Sequence, residues 1–178
     1  MKQEIKKLRV MIDGLSQLTK ELKPINKNEE FKAFPEYINS QEIEKTYDSL
    51  ILAKAWLGKV LGELGESTPY NNDGKRKHVK DIEPTTDTGN LNDVSTVEWF
   101  TQTKWLELTH IEKVDWLRQE IEKVHNILLE YYDIYCGKDG SVEEPLFWVM
   151  SNMKLSLQYL SEARFWLGFE LQRIKENK

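Results

Sequence analysis

Apolar residues recur every three or four positions along most of this 178-residue sequence, and this spacing favours helices over strands. The two clearest seams are Ile5, Leu8, Ile12, Leu15, Leu18 and Leu22, and then Ile111, Val114, Leu117, Ile121, Val124, Leu128, Tyr131 and Tyr135. Long seams at this spacing are typical of helices packed against one another. The sequence therefore predicts an all-α helical bundle of long antiparallel helices, forming a single domain over residues 1–178.

Helix ends are indicated by capping boxes, in which a small polar residue is followed three positions later by glutamate. Such boxes begin at Asn39, Ser95, Thr109 and Ser141. Pro24, Gly65 and Gly137 indicate where helices end. We predict an N-terminal helix at 1–22, a helix at 40–65, central helices at 96–136 and a last helix at 142–176.

Two segments carry closely similar words, AKAWLGKVL at 53–61 and ARFWLGFEL at 163–171. A shift of 110 residues places Ala53 on Ala163, Lys54 on Arg164, Trp56 on Trp166 and Gly58 on Gly168. This register predicts two related helical hairpins. The glycine that follows Trp-Leu in each copy indicates either a close approach between helices or room for a flat ligand.

Lys54 and Arg164 both fall on the apolar seam of their helices, where a buried cation is costly unless it is paired. Three arrangements can satisfy such a cation: a salt bridge to a carboxylate, an anionic ligand, or an exit to solvent along the aliphatic stem. The sequence leaves all three open. In the ligand interpretation, the two cations are expected to lie beneath one bound anion.

Residues 66–94 show neither a helical nor a strand pattern, and loops of this length are often functional. We predict an ordered loop, because its apolar residues can anchor it to the bundle. Its basic run GKRKHVK suits phosphate groups, although a solvated basic turn explains the same residues. The candidate ligand-binding residues are Lys54, Trp56, Tyr70, Lys75, Arg76, Lys77, His78, Thr85, Thr86, Arg164 and Trp166.

Charge and composition argue against several classes of protein. The net charge of −5 disfavours general binding to DNA or RNA polymers. No apolar run is long enough for a transmembrane helix, and the first residues lack the apolar core of a signal peptide. Cys136 is the single cysteine, which excludes an intrachain disulfide and a cysteine-based zinc site. We therefore expect a cytoplasmic protein that does not act at a membrane.

Familiar catalytic motifs are missing from the sequence: it has no HExxH pair, no glycine-rich phosphate loop and no nucleophile elbow. Two acidic pairs, Glu63 with Glu66 and Glu112 with Asp115, have the i,i+3 spacing that places two carboxylates on one helix face. All-α nucleotide pyrophosphohydrolases of the MazG type hold Mg²⁺ with such pairs, although the separation here is longer than in that family. This enzyme is kept as one alternative, and the main expectation is a non-enzymatic protein without a metal or cofactor.

The two Trp-Leu-Gly segments resemble known phage proteins. LSEARFWLGFELQRIKE, at 160–176, resembles a terminal helix of the form Leu-x-Glu-Ala-x-x-Trp-x-x-x-x-Ile-x-Arg, and residues 53–88 resemble a Trp-Leu-Gly helix followed by Pro-Tyr and Ile-Glu-Pro-Thr segments. Both are similar to the helical-hairpin family of anti-CBASS and anti-Thoeris sponges. The resemblance implies a homo-oligomer in the cytoplasm of an infected bacterial host. Such a protein would bind a cyclic oligonucleotide or a cyclic ADP-ribose derivative without cleaving it, and so block anti-phage defence.

A second interpretation is a helical adaptor or inhibitor that binds a protein partner through exposed aromatic side chains. Its anchors would be Trp99, Trp105, Trp116 and Trp148, because tryptophan is enriched at the centres of protein interfaces. The same residues could instead belong to the core. The two interpretations differ in which residues matter: the sponge depends on the cations of the loop, and the adaptor depends on exposed tryptophans.

Overall fold

A computed structural model describes residues 1–22, 41–66, 102–136 and 144–176. These residues form α1 (Lys2–Glu21), α2 (Gln41–Glu63), α3 (Gln102–Glu107), α4 (His110–Cys136) and α5 (Glu144–Glu176). The predicted all-α class is confirmed, because the described residues include no strand. Beyond Glu66, the predicted loop at 66–94 lies outside the described residues, as do Asn39, Ser95 and Ser141 of the capping boxes.

Helices α1, α2, α4 and α5 form a bundle in which α5 packs against both α2 and α4, and α1 packs against the same two helices. The direction of α2 relative to α5 follows from two contacts. The Ser156 hydroxyl donates a hydrogen bond to the Ala53 carbonyl oxygen at 3.0 Å. Earlier on α2 and later on α5, the Thr46 hydroxyl lies 3.4 Å from the Ala163 carbonyl oxygen. The two helices are therefore antiparallel, as the predicted bundle requires.

The core of the bundle is built from the apolar seams that the sequence displays. Its largest fully buried side chains are Ile5, Leu8, Ile12, Leu15, Ile43, Leu50, Leu57, Leu61, Leu117, Ile121, Leu128 and Met153. Each such side chain stabilises the fold by about 1.5–3 kcal/mol relative to an exposed position. The heptad spacing thus places one apolar stripe of each long helix at the centre, and most of the other described positions are partly or fully exposed.

The beginning of α4 shows the predicted capping box at Thr109 and Glu112. The Glu112 carboxylate accepts hydrogen bonds from the Thr109 hydroxyl at 2.7 Å and from the Thr109 amide at 2.8 Å. These two bonds hold the pKa of Glu112 below its ordinary value of 4.5. The box satisfies the free groups at the start of α4 and fixes where this helix begins.

The internal repeat extends further than the Trp-Leu-Gly words. A shift of 109 residues places α1 on α4, with Leu8 on Leu117, Arg9 on Arg118, Ile12 on Ile121 and Asp13 on Glu122. Since α2 corresponds to α5, the hairpin of α1 and α2 corresponds as a whole to the hairpin of α4 and α5. This correspondence supports the prediction of two related hairpins.

Equivalent residues of the two hairpins make equivalent contacts. Thr46 and Ser156 are related by the shift of 110 residues, as are Ala53 and Ala163, so the two contacts between α2 and α5 are copies of each other. An approximate twofold relation therefore joins the two hairpins through the α2–α5 interface, in the manner of an isologous dimer interface.

This interface gives a test of stability. Ser156 is fully buried and its hydroxyl links α5 to α2, so Ser156→Ala is expected to lower the free energy of unfolding by about 1 kcal/mol. Urea denaturation followed by circular dichroism measures this change. Ser161→Ala, at an exposed position of the same helix, is the matched control and should change stability by less than about 0.5 kcal/mol. Equal effects of the two substitutions would contradict the role assigned to Ser156.

Candidate functional site

A groove of about 410 Å³ runs between α4 and α5. It is lined by Arg118 and His125 from α4 and by Ser161, Arg164, Phe165, Gly168, Phe169 and Gln172 from α5. We call it the arginine groove. Its volume is in the range of small-molecule sites in proteins.

Arg118 is the unusual residue of this groove. Within the described part of the chain, its side chain makes no hydrogen bond or ion pair, and its Nε atom is shielded from solvent. The guanidinium lies over the backbone of α5, since a Cβ atom built on Gly168 would lie 3.9 Å from Arg118 Nε. An arginine cannot lose its charge at ordinary pH. A half-buried guanidinium without a carboxylate is therefore available to an anion.

Arg164 contributes a second guanidinium to the groove. Its Nη2 atom forms an ion pair with Glu122 at 2.7 Å, and both side chains are about two-fifths exposed. Its Nε atom is buried without a hydrogen-bond partner in the described residues. An exposed ion pair of this kind is weak, so an anion can compete for Arg164. The guanidinium groups of Arg118 and Arg164 outnumber the single carboxylate of Glu122, so this part of the surface carries net positive charge.

Aromatic side chains form one wall of the arginine groove. The rings of Phe165 and Phe169 are both more than two-fifths exposed and meet edge to face, with centroids 4.7 Å apart. Trp166, which the sequence proposes as a ligand residue, is not among the groove residues, and the Nζ atom of Lys45 covers its ring at 3.9 Å. The rings that face the two arginines are therefore the phenylalanines on either side of the tryptophan.

Lys54 and Arg164 belong to different pairs of helices. Lys54 forms an ion pair with Asp13 of α1, and Arg164 forms one with Glu122 of α4. These two ion pairs are equivalent under the internal repeat. Each of these two cations therefore has a salt bridge, and only Arg164 lines the arginine groove. The ligand interpretation of the sequence expects Lys54 and Arg164 beneath one ligand, whereas the structure places them in different parts of the bundle.

Trp56 lines a second groove, of about 540 Å³, between α2 and α5. We call it the tryptophan groove, and it is formed by Trp56, Lys59, Gly62, Glu63, Trp148, Ser151, Asn152 and Leu155. The Nζ atom of Lys59 lies 3.8 Å from the centre of the Trp56 ring. The other predicted ligand residues, Tyr70, Lys75, Arg76, Lys77, His78, Thr85 and Thr86, lie outside the described residues.

A buried group of charged residues connects the beginning of α4 to the end of α5. Glu170 is fully buried and lies 3.1 Å from Nε2 of the equally buried His110. Arg173 donates two hydrogen bonds to the same carboxylate, at 2.8 and 2.9 Å, and this contact raises the pKa of Arg173. This group was not predicted from the sequence. A signal was present, because Glu170 is a charged residue on the apolar seam between Leu167 and Ile174.

The two acidic pairs of the pyrophosphohydrolase interpretation do not come together. Glu66 forms an ion pair with Lys6 at 2.8 Å, which lowers the pKa of Glu66 and places it near the start of α1. The end of α1 lies instead beside α3, because the Trp105 indole donates to Glu21 at 2.9 Å. Glu112 lies just after α3, so the two pairs stand near opposite ends of α1, about 20–25 Å apart. Within the described residues, no group of three or more His, Cys, Asp or Glu side chains could hold a metal ion.

The tryptophans proposed as interface anchors differ in burial. Trp105 is buried and meets Trp116 edge to face at 5.6 Å, which makes this pair part of the packing around α3. Trp148 is 61% exposed and meets the exposed Phe147 edge to face at 5.4 Å. Trp99 lies outside the described residues. Of the described candidates, only Trp148 is open to a partner.

Comparison with known proteins yields no match: no family model, no curated protein and no solved structure is similar to this chain. No helix within the described ranges is both long enough and apolar enough to cross a membrane. The assignment of a site therefore rests on the residues themselves. Among the described residues, the arginine groove combines unpaired positive charge, exposed rings and sufficient volume.

Proposed function

We propose that this protein binds a small nucleotide-type anion in the arginine groove and sequesters it without converting it. The observation that carries the proposal is Arg118, a half-buried guanidinium that has no carboxylate partner in the described residues and stands beside Arg164. Guanidinium groups bind phosphates through paired, charge-assisted hydrogen bonds. The exposed rings of Phe165 and Phe169 offer surfaces on which a base can stack.

The biological role that fits this binding is that of a phage-type sponge. The ligand would be a cyclic oligonucleotide or a cyclic ADP-ribose derivative that signals infection, and its capture would block the defence of the bacterial host. This part of the proposal rests on the resemblance of the two Trp-Leu-Gly segments to the sponge family. The positive arginine groove supports it, because such signals carry phosphates and bases.

Magnitudes indicate how tight a single groove can be. Hydrogen bonds to charged groups contribute about 1.5–3 kcal/mol each, and a stacked base contributes about 1–3 kcal/mol. Two guanidinium contacts and one stacked base together give about 4–9 kcal/mol, which corresponds to millimolar to micromolar binding. A sponge with nanomolar affinity therefore needs further contacts. A homo-oligomer in which a second copy closes over the ligand would supply them.

The proposal is tested by native mass spectrometry of the purified protein and by calorimetric titration with cyclic dinucleotides, cyclic trinucleotides and cyclic ADP-ribose. We expect at least one of these ligands to bind and to be recovered chemically intact after denaturation of the complex. Recovery of a cleaved product would assign an enzyme instead. If none of the panel binds at concentrations up to about 1 mM, the sponge proposal is wrong.

One observation favours a second candidate, the protein-binding adaptor. Phe147 and Trp148 lie side by side at the start of α5, and both are more than half exposed. Exposed aromatic pairs of this kind are typical anchors of protein interfaces. The adaptor would depend on Trp148 and be indifferent to Arg118, whereas the sponge has the opposite dependence.

A further inference from the structure

Asn152 is a polar side chain that the internal contacts leave unsatisfied. It is 7% exposed, yet its amide makes no hydrogen bond within the described part of the chain. It lies on α5 among the residues that line the tryptophan groove. Its amide atoms are not among the fully shielded, unpartnered polar atoms of the described residues, so they keep contact with the groove, where a ligand can hydrogen-bond to them.

The residues around Asn152 suit a flat, uncharged ring. Trp148 supplies a large exposed aromatic surface, Leu155 adds an apolar one, and the Trp56 ring lies beneath the Nζ atom of Lys59. Lys59 and Glu63 carry opposite charges, so the charged groups lining this groove cancel. The tryptophan groove therefore differs from the arginine groove, where guanidiniums outnumber carboxylates. It lacks the excess positive charge that would favour phosphate.

We infer that the tryptophan groove binds an adenine ring, stacked on Trp148 and read by the amide of Asn152. An asparagine amide pairs with adenine through two hydrogen bonds, because the adenine edge presents an amino donor beside a ring-nitrogen acceptor. The Glu63 carboxylate can accept hydrogen bonds from ribose hydroxyls. The volume of about 540 Å³ is in the range of sites for ligands of this size.

This site is independent of the proposed sponge activity. The adenine ring could come from free adenosine or from the base of an adenine nucleotide, and the two sources are distinguished by comparing adenosine with AMP. Because the charges in the tryptophan groove cancel, adenosine should bind at least as tightly as AMP. Much tighter binding of AMP that is lost in Arg118→Ala would place the nucleotide in the arginine groove instead and overturn the inference.

The experiment is a titration of the full-length protein with adenosine, followed by calorimetry. Asn152→Leu keeps the size of the side chain and removes the amide, so adenosine affinity should fall by about 10-fold or more. Trp148→Ala removes an exposed ring and leaves the core intact, and it should weaken binding to a similar extent. Gln158→Ala, at an exposed position of α5 that lines neither groove, is the matched control, with adenosine affinity unchanged.

A chemical variant of the ligand provides a second test. N6,N6-dimethyladenosine keeps the ring and the ribose but has no amino hydrogen to donate, so it should bind the wild-type protein more weakly than adenosine does. In Asn152→Leu, adenosine and its dimethyl analogue should bind with similar affinity, because the hydrogen bond from the amino group is already absent. Binding of adenosine that is equal in wild type and Asn152→Leu, or no binding at millimolar concentration, would show that the groove is not an adenine site.

Discussion

Replacing Glu170 by alanine is expected to lower the free energy of unfolding by about 3–5 kcal/mol. The carboxylate is fully buried, and it is the shared partner of His110 and Arg173. Its removal leaves a charged guanidinium next to an apolar seam and opens a cavity in the contact between α4 and α5. Urea denaturation monitored by circular dichroism measures the change in unfolding free energy.

Two further variants separate the charge from the packing. Glu162→Ala removes a carboxylate of the same helix whose hydrogen bond, from Gln158, is exposed, and this control should cost no more than about 0.5 kcal/mol. Glu170→Gln keeps the shape and some hydrogen bonding while removing the charge, and it should fall between the two. A loss for Glu170→Ala no larger than that for Glu162→Ala would mean that the buried group does not hold the bundle together.

The architecture could be predicted from the sequence because it depends on local spacing. Apolar seams with the helical period specify which face of each helix is buried, and the capping box at Thr109 specifies where α4 begins. The correspondence of α1 with α4 was missed. Its shared residues, such as Leu8 with Leu117 and Ile12 with Ile121, are ones that any amphipathic helix contains. The equivalent contacts that the two hairpins make in the structure identify these shared residues as part of a repeat.

The candidate site was only partly predictable. Arg164 stands out in the sequence because it interrupts an apolar seam, and the structure places it in the arginine groove. Arg118 gives no such signal, since an arginine beside Leu117 is ordinary on a charged helix. Its lack of a partner depends on α5, where the guanidinium lies beside Gly168 rather than beside a carboxylate. A property that depends on two distant helices cannot be read from local spacing.

The aromatic wall of the arginine groove distinguishes the second hairpin from the first. The repeat places His125 on Ser16, Phe165 on Ala55 and Phe169 on Lys59. The scaffold residues and the ion pairs are shared, whereas the residues that make the arginine groove aromatic belong to the second hairpin alone. The candidate site thus lies in the second hairpin because its groove residues differ between two hairpins that otherwise share the same helix packing and ion pairs.

Replacing Arg118 by alanine is expected to weaken binding of the nucleotide ligand at least about 30-fold, since truncating one partner of a desolvated charge pair costs about 2–5 kcal/mol. The free energy of unfolding should stay the same or increase, because an arginine without a carboxylate partner costs solvation energy in the free protein. Calorimetric titration and urea denaturation of the same preparations measure the two quantities. A residue that only supported the fold would show the reverse pattern.

Two matched variants sharpen the test of Arg118. Arg118→Lys keeps the charge but loses the planar fork, so its affinity should lie between those of wild type and Arg118→Ala. Lys54→Ala removes the counterpart of Arg164 in the other hairpin and breaks the ion pair with Asp13, so it should change stability and leave ligand affinity intact. If Arg118→Ala binds as tightly as wild type, the ligand does not occupy the arginine groove. If Lys54→Ala weakens binding as strongly as Arg118→Ala, the site extends across both hairpins, because the two residues contact different helix pairs.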